Sequence, residues 1–215
     1  MAVVEPTRQR ERREASTAAL LDAAGQLVLE GGFTAMTFAA IGERAGYSRA
    51  MVTARFGSRR GLIEALLDRL ITRWYEETYP TGHSNTGLQS ILALIDLARR
   101  RSEDAPDELR VFYALLFEAI GGEPLLRNRM LAFHDDFRDR LVEVAARGQR
   151  DGSIVATLDP ADEVNAVIGG MRGVAYQWLL EPGFDAARAF AYLRSVVNDR
   201  LAAEPADAAD PTDPR

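Results

Sequence analysis

The chain has 215 residues, of which 47% are hydrophobic, and it contains no cysteine. This length can bury a sizeable core without disulfide bonds. The formal net charge is −6, but the first 75 residues carry +3 and the remainder carries −9. No apolar run reaches about 18 residues and the start of the chain is polar and charged, so we expect a cytoplasmic protein that does not enter a membrane. The basic N-terminal part is the only region whose composition suits a polyanion.

The N-terminal leader is rich in arginine. Its four closely spaced arginines could follow a phosphate backbone or enter a minor groove as an arm, and the alternative is a solvated, disordered tail. We assign residues 1–13 as a basic flexible arm. Residues 14–30 then repeat apolar side chains at helical spacing and predict the first helix. The arginines of the leader are Arg8, Arg10, Arg12 and Arg13.

Residues 37–56 predict two short helices joined by a tight turn. The Thr37 hydroxyl can accept from the free backbone N–H groups of the first helix. Gly46 can adopt the left-handed conformation that ends this helix, and Ser48 can cap the next one. Two short helices joined in this way form a helix-turn-helix.

The outer face of the second short helix suits DNA. Val52 and Phe56 are four residues apart and are expected to face inward. Arginine can donate to guanine O6 and N7 or to a phosphate, while small side chains can meet thymine methyl groups. The same pattern also occurs in helical bundles that never bind DNA. The residues expected on the outer face are Arg49, Ala50, Met51, Thr53, Ala54 and Arg55.

A third helix is predicted after Ser58, which can cap it. The backbone N–H groups at its start, together with Arg59, form a possible phosphate site. The segment 18–67 as a whole strongly resembles the TetR family of transcriptional regulators. The resemblance rests on the first helix, the link Gly31-Gly32-Phe33, Thr37, the turn Ala45-Gly46-Tyr47-Ser48, and the segment Phe56-Gly57-Ser58-Arg59.

The resemblance implies an all-α protein with an N-terminal three-helix DNA-binding head that contains the helix-turn-helix. A C-terminal helical bundle for ligand binding and dimerisation is implied to follow. The chain departs from the family pattern at Thr53-Ala54, where an aromatic residue is usual, and at Arg59, where lysine is usual. Together with side-chain chemistry, the resemblance implies a DNA-binding set of Thr37, Tyr47, Ser48, Arg49, Ala50, Met51, Thr53, Arg55 and Arg59. In it, Arg49, Ala50, Met51 and Thr53 read bases, and Thr37, Tyr47, Arg55 and Arg59 hold phosphates.

The rest of the chain is predicted to be helical. We assign residues 14–61 to the head, residues 62–203 to the ligand-binding and dimerisation domain, and residues 204–215 to a disordered tail because that segment is acidic and rich in proline. The apolar periodicity, with proline and glycine as breaks, separates the helices. The predicted helical segments are 62–79, 88–102, 106–121, 124–148, 160–181 and 185–201.

The last two helices contain three glycines, Gly169, Gly170 and Gly173, which are costly inside a helix unless a close approach requires them. Packing within the chain or between subunits would equally supply that requirement. The family resemblance implies a homodimer in which the last two helices of each subunit pair. The expected interface residues are Val167, Gly170, Met171, Val174, Trp178, Phe190, Leu193 and Val197.

The body helices also carry many aromatic residues. Most are expected to be core, since aromatic residues at helical spacing usually are. A few could line a pocket for an apolar or aromatic effector, with Arg172 or His134 as a polar anchor. The candidate pocket residues are Trp74, Phe112, Tyr113, Phe117, Phe133, His134, Phe137, Arg172 and Tyr176.

No pattern indicates an enzyme. The sequence lacks cysteine, the common hydrolase and metalloprotease motifs, and a glycine-rich phosphate loop, and its two histidines are far apart. We therefore expect no catalytic residue, metal or cofactor. The predicted function is a ligand-responsive repressor that binds an inverted-repeat operator in double-stranded DNA as a homodimer. Two alternatives stay open, namely a regulator of the same fold that activates or answers to a protein partner, and a helical ligand-binding protein or enzyme without operator binding.

Overall fold

A computed structural model describes residues 4–78, 85–122 and 124–203 of the chain. These ranges contain nine α-helices, a short 3-10 helix at Phe33–Ala35 and no β-strand. An isolated antiparallel backbone bridge pairs Ile154 with Ala202. None of the described helices is long and apolar enough to cross a membrane. The all-α prediction is confirmed.

The helix bounds follow the sequence signals closely from the second helix onward. The break predicted at residues 80–87 lies partly, and the tail at 204–215 wholly, outside the described residues. The helices are α1 (Val4–Gly31), α2 (Phe38–Ala45), α3 (Arg49–Phe56), α4 (Arg59–Thr78), α5 (Gly87–Asp104), α6 (Pro106–Glu118), α7 (Pro124–Arg150), α8 (Pro160–Leu180) and α9 (Ala186–Leu201).

Helix α1 begins ten residues earlier than predicted, at Val4 instead of residue 14. Residues 4–13 of the leader are therefore helical, which corrects the expectation of a flexible arm. Apolar periodicity could not reveal this, because the described side chains of the leader are exposed. Charged residues of good helical propensity form this extension, and Arg10 pairs with Glu14 at 2.7 Å, one turn away. The hydrogen bond from Arg10, with the charge of Glu14, raises the pKa of Arg10.

The helices divide into two compact units, and this division differs from the predicted boundary at residues 61 and 62. The first unit contains α1 to α4, the end of α5, α6 and the first part of α7. The second contains most of α5, the remainder of α7, α8 and α9. The predicted head therefore shares one compact unit with α4 and α6.

An aromatic cluster forms part of the core of the first unit. Trp74 stacks on Phe112 with 5.2 Å between ring centroids, and Phe133 meets Phe112 edge-on at 5.5 Å. Nearby, Arg101 is 7% exposed and lies 3.3 Å from both Glu77 and Glu108. Ion pairs of this kind join α4, α5 and α6, because a buried guanidinium requires carboxylate partners.

The second unit is organised around α8 and α9, and here the predicted dimer interface is wrong. Six of its eight residues are buried within a single chain, and the seventh, Gly170, lies directly under the Leu193 side chain, which is the eighth. The apolar period therefore marks the face that α8 and α9 turn toward their own chain. The six buried residues are Val167, Met171, Val174, Trp178, Phe190 and Val197.

Carboxylates and a hydroxyl fix the ends of the helices in the second unit. Asp159 accepts from the first turn of α8 and Asp185 from the first turn of α9. The start of α5 is capped from the loop after α7, where Asp151 accepts from Gly87 N at 2.9 Å and Ser153 Oγ accepts from Leu88 N at 3.1 Å. These hydrogen bonds satisfy backbone donors that a helix leaves free.

Candidate DNA-binding site

Helices α2 and α3 form the predicted helix-turn-helix. Thr37 Oγ1 accepts from Ala40 N at 3.2 Å and caps α2, and Ser48 Oγ accepts from Met51 N at 3.2 Å and caps α3. Between them Gly46 has φ of 74°, in the left-handed region. Each cap that the sequence indicated is present, so the short helices are held by their own ends as well as by packing.

Gly42 makes the turn between α2 and α3 possible. A Cβ added at Gly42 would lie 2.7 Å from the backbone oxygen of Tyr47, a distance that real contacts do not reach. The same region is tied by the hydrogen bond from Tyr47 N to Gly42 O at 2.7 Å. The close approach of the two backbones therefore requires glycine at position 42.

Helix α3 buries one side and exposes the other. Val52 is completely buried, as is Ile41 of α2, which confirms the predicted inward contact. Arg49, Ala50 and Thr53 are exposed. The exposed side thus offers one guanidinium among small side chains, which is a surface that fits a major groove.

Arg55 does not belong to that exposed side, and this corrects its predicted place on the outer surface. Its Nη1 donates to Arg13 O at 2.6 Å and to Thr17 Oγ1 at 2.5 Å, and its Nη2 donates to Ser16 Oγ at 2.9 Å. These acceptors all belong to α1. Arg55 therefore holds α3 against α1, and it also lines a concave surface beside α3.

Arg59 is likewise used inside the chain. Its Nη1 donates to Met36 O at 2.9 Å and its Nη2 to Phe33 O at 3.2 Å. The guanidinium carbon lies 4.8 Å from the centre of the Phe33 ring, which adds a cation–π contact. Arg59 thus links α4 to the segment before α2, and its phosphate contact stays a prediction.

Thr53, a further member of the predicted set, has a partly committed hydroxyl group. Thr53 Oγ1 donates to Arg49 O at 3.0 Å within α3, so its hydroxyl hydrogen is not directed outward. Ser58, at the start of α4, accepts from Gly61 N at 3.1 Å, as predicted. Tyr47 and Met51 are half-buried at the side of α3 that faces α1.

A basic concave surface lies beside α3. It is lined by Tyr47 and Met51 on one side and by Arg12, Arg13 and Ser16 of α1 on the other. The sequence indicated these arginines as a possible arm, but it did not reveal that a helix holds them next to Tyr47. The helical extension of α1 brings positive charge to the edge of the exposed α3 face.

The predicted effector residues are divided between the two compact units. Trp74, Phe112, Tyr113, Phe117, Phe133 and His134 belong to the first unit, and Phe137, Arg172 and Tyr176 belong to the second. Direct ring contacts fill the space around Phe112, so that residue is core. Tyr176 is 56% exposed, so its expected place in an enclosed pocket is corrected. Within the described ranges, no group of three or more His, Asp or Glu side chains could hold a metal ion.

A capped helix-turn-helix with an exposed second helix and a basic surface beside it defines a DNA-binding protein of the helix-turn-helix class. Residues 20–66 match the family model described as bacterial regulatory proteins of the tetR family, and residues 88–202 match the model described as BetI-type transcriptional repressor, C-terminal. The chain belongs to the TetR family of transcriptional regulators, which confirms the resemblance.

Solved structures of other regulators share the fold. A TetR-family regulator from Agrobacterium tumefaciens has a TM-score of 0.77 at 19% identity and covers 89% of this chain and 100% of its own. SmeT, the repressor of a multidrug efflux pump of Stenotrophomonas maltophilia, has a TM-score of 0.72 at 19% identity, with 87% and 91% covered. A regulator from Saccharomonospora viridis in complex with choline has a TM-score of 0.72 at 17% identity, with 89% and 100% covered. No protein of curated function matches the sequence.

Proposed function

We propose that this protein is a repressor that binds an inverted-repeat operator as a homodimer and releases it when a small molecule binds. The observation that carries the proposal is the exposed side of α3, where Arg49, Ala50 and Thr53 stand clear of the chain while caps and Arg55 fix the helix. A rigid helix that presents a guanidinium among small side chains suits base edges in a major groove.

Phosphate contacts in the proposal come from the surface beside α3. Arg12 and Arg13 line it together with Tyr47, and all three side chains can donate to phosphate oxygens. Arg55 lines the same surface, and both Arg55 and Arg59 also donate hydrogen bonds within the chain, to Arg13 O and Met36 O. Thr37 and Ser48 stay in the proposed site because they are exposed at the starts of α2 and α3, where backbone N–H groups also favour phosphate.

The proposed dimer face is the exposed side of α8 and α9. Tyr176 and Leu180 of α8 are 56% and 67% exposed, and Tyr192 and Val196 of α9 are 72% and 45% exposed. Gly169, on α8, has open space where a Cβ would lie, which permits close approach of another helix. Large apolar side chains that share an exposed face mark an association surface. A twofold pair would present two α3 helices to half-sites roughly 34 Å apart.

The proposed release follows from the coupling of two sites. A small molecule lowers DNA affinity only if it binds the released arrangement more tightly than the DNA-bound one. Repression by SmeT and the choline complex of the Saccharomonospora viridis regulator support the choice of a ligand-responsive repressor. The aromatic residues of the body helices favour an effector that is apolar or aromatic.

Selection of bound sequences from a random DNA pool tests the proposal. We expect enrichment of an inverted repeat whose half-site centres are about 10 base pairs, or a multiple of that, apart. Absence of any enriched sequence would contradict operator binding and favour a ligand-binding protein that has lost it. Expression of a reporter under the selected operator, with and without the protein, then decides the sign, because a repressor lowers expression and an activator raises it.

A further inference from the structure

A cavity of about 370 Å³ lies in the first compact unit between α1, α4 and α6. None of the nine predicted effector residues lines it. The cavity adjoins α1, which holds α3 through Arg55, and α4, which follows the helix-turn-helix directly. A ligand at this place would therefore contact helices that belong to or support the DNA-binding head.

The walls of the cavity are largely aliphatic. Leu21 of α1, Leu66 and Leu70 of α4, and Val111 of α6 contribute to the lining, and each is otherwise buried in the core. Gly25 lets α1 approach α6 closely, since a Cβ there would lie 3.1 Å from a Val111 methyl group. An apolar ligand body can replace water against such walls.

The charged residues at the cavity determine the sign of the charge that a ligand should carry. Three carboxylates, Asp22, Asp107 and Glu108, line it with one guanidinium, Arg69. Asp22 is paired with Arg69 at 2.5 Å. Glu108 is paired at 2.6 Å with Arg73, which does not line the cavity. Asp107 is exposed and forms no ion pair with any residue that the structure describes. One negative charge thus remains unmatched beside an apolar space.

We propose that the cavity between α1, α4 and α6 is a binding site for an organic monocation with an apolar body. The body of the ligand lies against the leucine and valine walls, and its ammonium or amidinium group lies at Asp107. The effect of the ligand on DNA binding rests on the proposed function. The binding of the ligand to the cavity does not.

The link between Arg69 and α1 gives the site a route to the DNA-binding head. Arg69 Nη1 donates to Ala18 O at 3.1 Å and its Nη2 donates to Asp22, so one side chain joins α4 to α1 at the cavity wall. The ligand cation at Asp107 repels the guanidinium of Arg69, which lines the same cavity. Binding therefore favours arrangements in which α1 and α4 are less firmly joined, and DNA affinity falls if those arrangements bind DNA less well.

The first test uses three probes that share a phenylalkyl body and carry a cationic, a neutral and an anionic head group: 4-phenylbutylamine, 4-phenylbutanol and 4-phenylbutyrate. Calorimetric titration of the full chain without DNA is expected to give the tightest binding for the amine and the weakest for the carboxylate. Methyl NMR of the amine complex is expected to shift Leu21, Leu66, Leu70 and Val111. Equal affinity for the three probes, no saturable binding, or shifts confined to the second unit would overturn the proposal.

The second test compares Asp107→Asn with the matched control Asp104→Asn. Asp104 is exposed at the end of α5 and does not line the cavity. Asp107→Asn is expected to weaken 4-phenylbutylamine binding by about two- to fivefold, the range for an exposed ion pair, and to leave 4-phenylbutanol unchanged. Asp104→Asn is expected to change neither. An equal loss in both variants would overturn the assignment of Asp107.

The regulatory consequence is measured separately, as the affinity for selected DNA with and without 4-phenylbutylamine. We expect the amine to weaken DNA binding in the wild type and to do so less in Asp107→Asn. If the amine binds at the cavity but DNA affinity does not change, the site stands and its coupling to the head is refuted. If no DNA is bound at all, the proposed function fails and the probe titrations still decide the cavity.

Discussion

Arg55 donates a hydrogen bond through Nη2 to Ser16 Oγ at 2.9 Å, which joins the helix expected to enter DNA to the first helix of the chain. Ser16 is itself buried, at 6% exposure. An arginine on a recognition helix therefore serves to position that helix, while Arg49, at the start of the same helix, is exposed. The two arginines of α3 have different tasks, and this difference can be measured.

Replacement of Arg55 by alanine is expected to lower the free energy of unfolding by about 1–3 kcal/mol, because three hydrogen bonds to α1 are lost and Ser16 Oγ loses the donor from which it accepts. Arg49→Ala is the matched control and should stay within about 0.5 kcal/mol of the wild type. Urea denaturation followed by circular dichroism gives both values. Equal stability of the two variants would contradict the positioning role of Arg55.

Replacement of Gly42 by alanine is expected to destabilise the helix-turn-helix by about 1–3 kcal/mol, since the new methyl group would lie 2.7 Å from Tyr47 O. Glu43→Ala, at the neighbouring exposed position, serves as the control and should have little effect. Hydrogen exchange of the amides in α2 and α3 locates the loss. Unchanged protection in Gly42→Ala would show that the turn is looser than its backbone contacts indicate.

The capping carboxylate Asp151 makes stability depend on pH. Hydrogen bonds from Ser153 and from the backbone N–H of Gly87 lower the pKa of Asp151 below its ordinary value of 3.8. A lowered folded-state pKa gives a contribution that is fully present above about 3.8 and is lost as pH falls through the folded value. Wild type should exceed Asp151→Asn in stability at pH 7, and the difference should shrink below pH 3.8. A constant difference across that range, measured by urea denaturation, would count against this account.

Introduction of two charges on α9, as Tyr192→Glu with Val196→Glu, is expected to dissociate the proposed homodimer. Both side chains are exposed in the single chain, so the fold itself should tolerate the change. Sedimentation velocity measures the outcome, and Leu131→Glu is the control because Leu131 is a 52% exposed apolar residue of the first unit. A dimer that persists in the double variant would place the interface elsewhere.

The sequence predicts the helix-turn-helix well because its signals are local. The caps Thr37 and Ser48 and the left-handed Gly46 each act within a few residues, and each is found as expected. The start of α1 is not predictable from apolar periodicity, since the residues of the extension face solvent. Nor can composition distinguish Arg49 from Arg55, because the acceptors of Arg55 lie about forty residues earlier in the chain.

The proposed dimer face illustrates a different limit. The strongest apolar period in α8 and α9 includes Val167 and Phe190, which are buried against their own chain. The exposed residues Tyr176 and Tyr192 lie outside that period and are too few to form a period of their own. A single sequence cannot assign two apolar faces of one helix to two different partners. The exposure of each side chain in the folded chain distinguishes the face that packs on its own chain from the face that does not.

The most direct measurement is the affinity for selected DNA, by fluorescence anisotropy at several salt concentrations, of wild type, Arg49→Ala, and Arg12→Ala with Arg13→Ala. The account predicts that the wild type binds tightly and weakens steeply with salt. Arg49→Ala should lose affinity for the selected sequence in particular, and the α1 variant should lose affinity for all sequences and show a smaller salt slope. Wild-type affinity in both variants would contradict the claim that α3 and the extension of α1 form the DNA-binding surface.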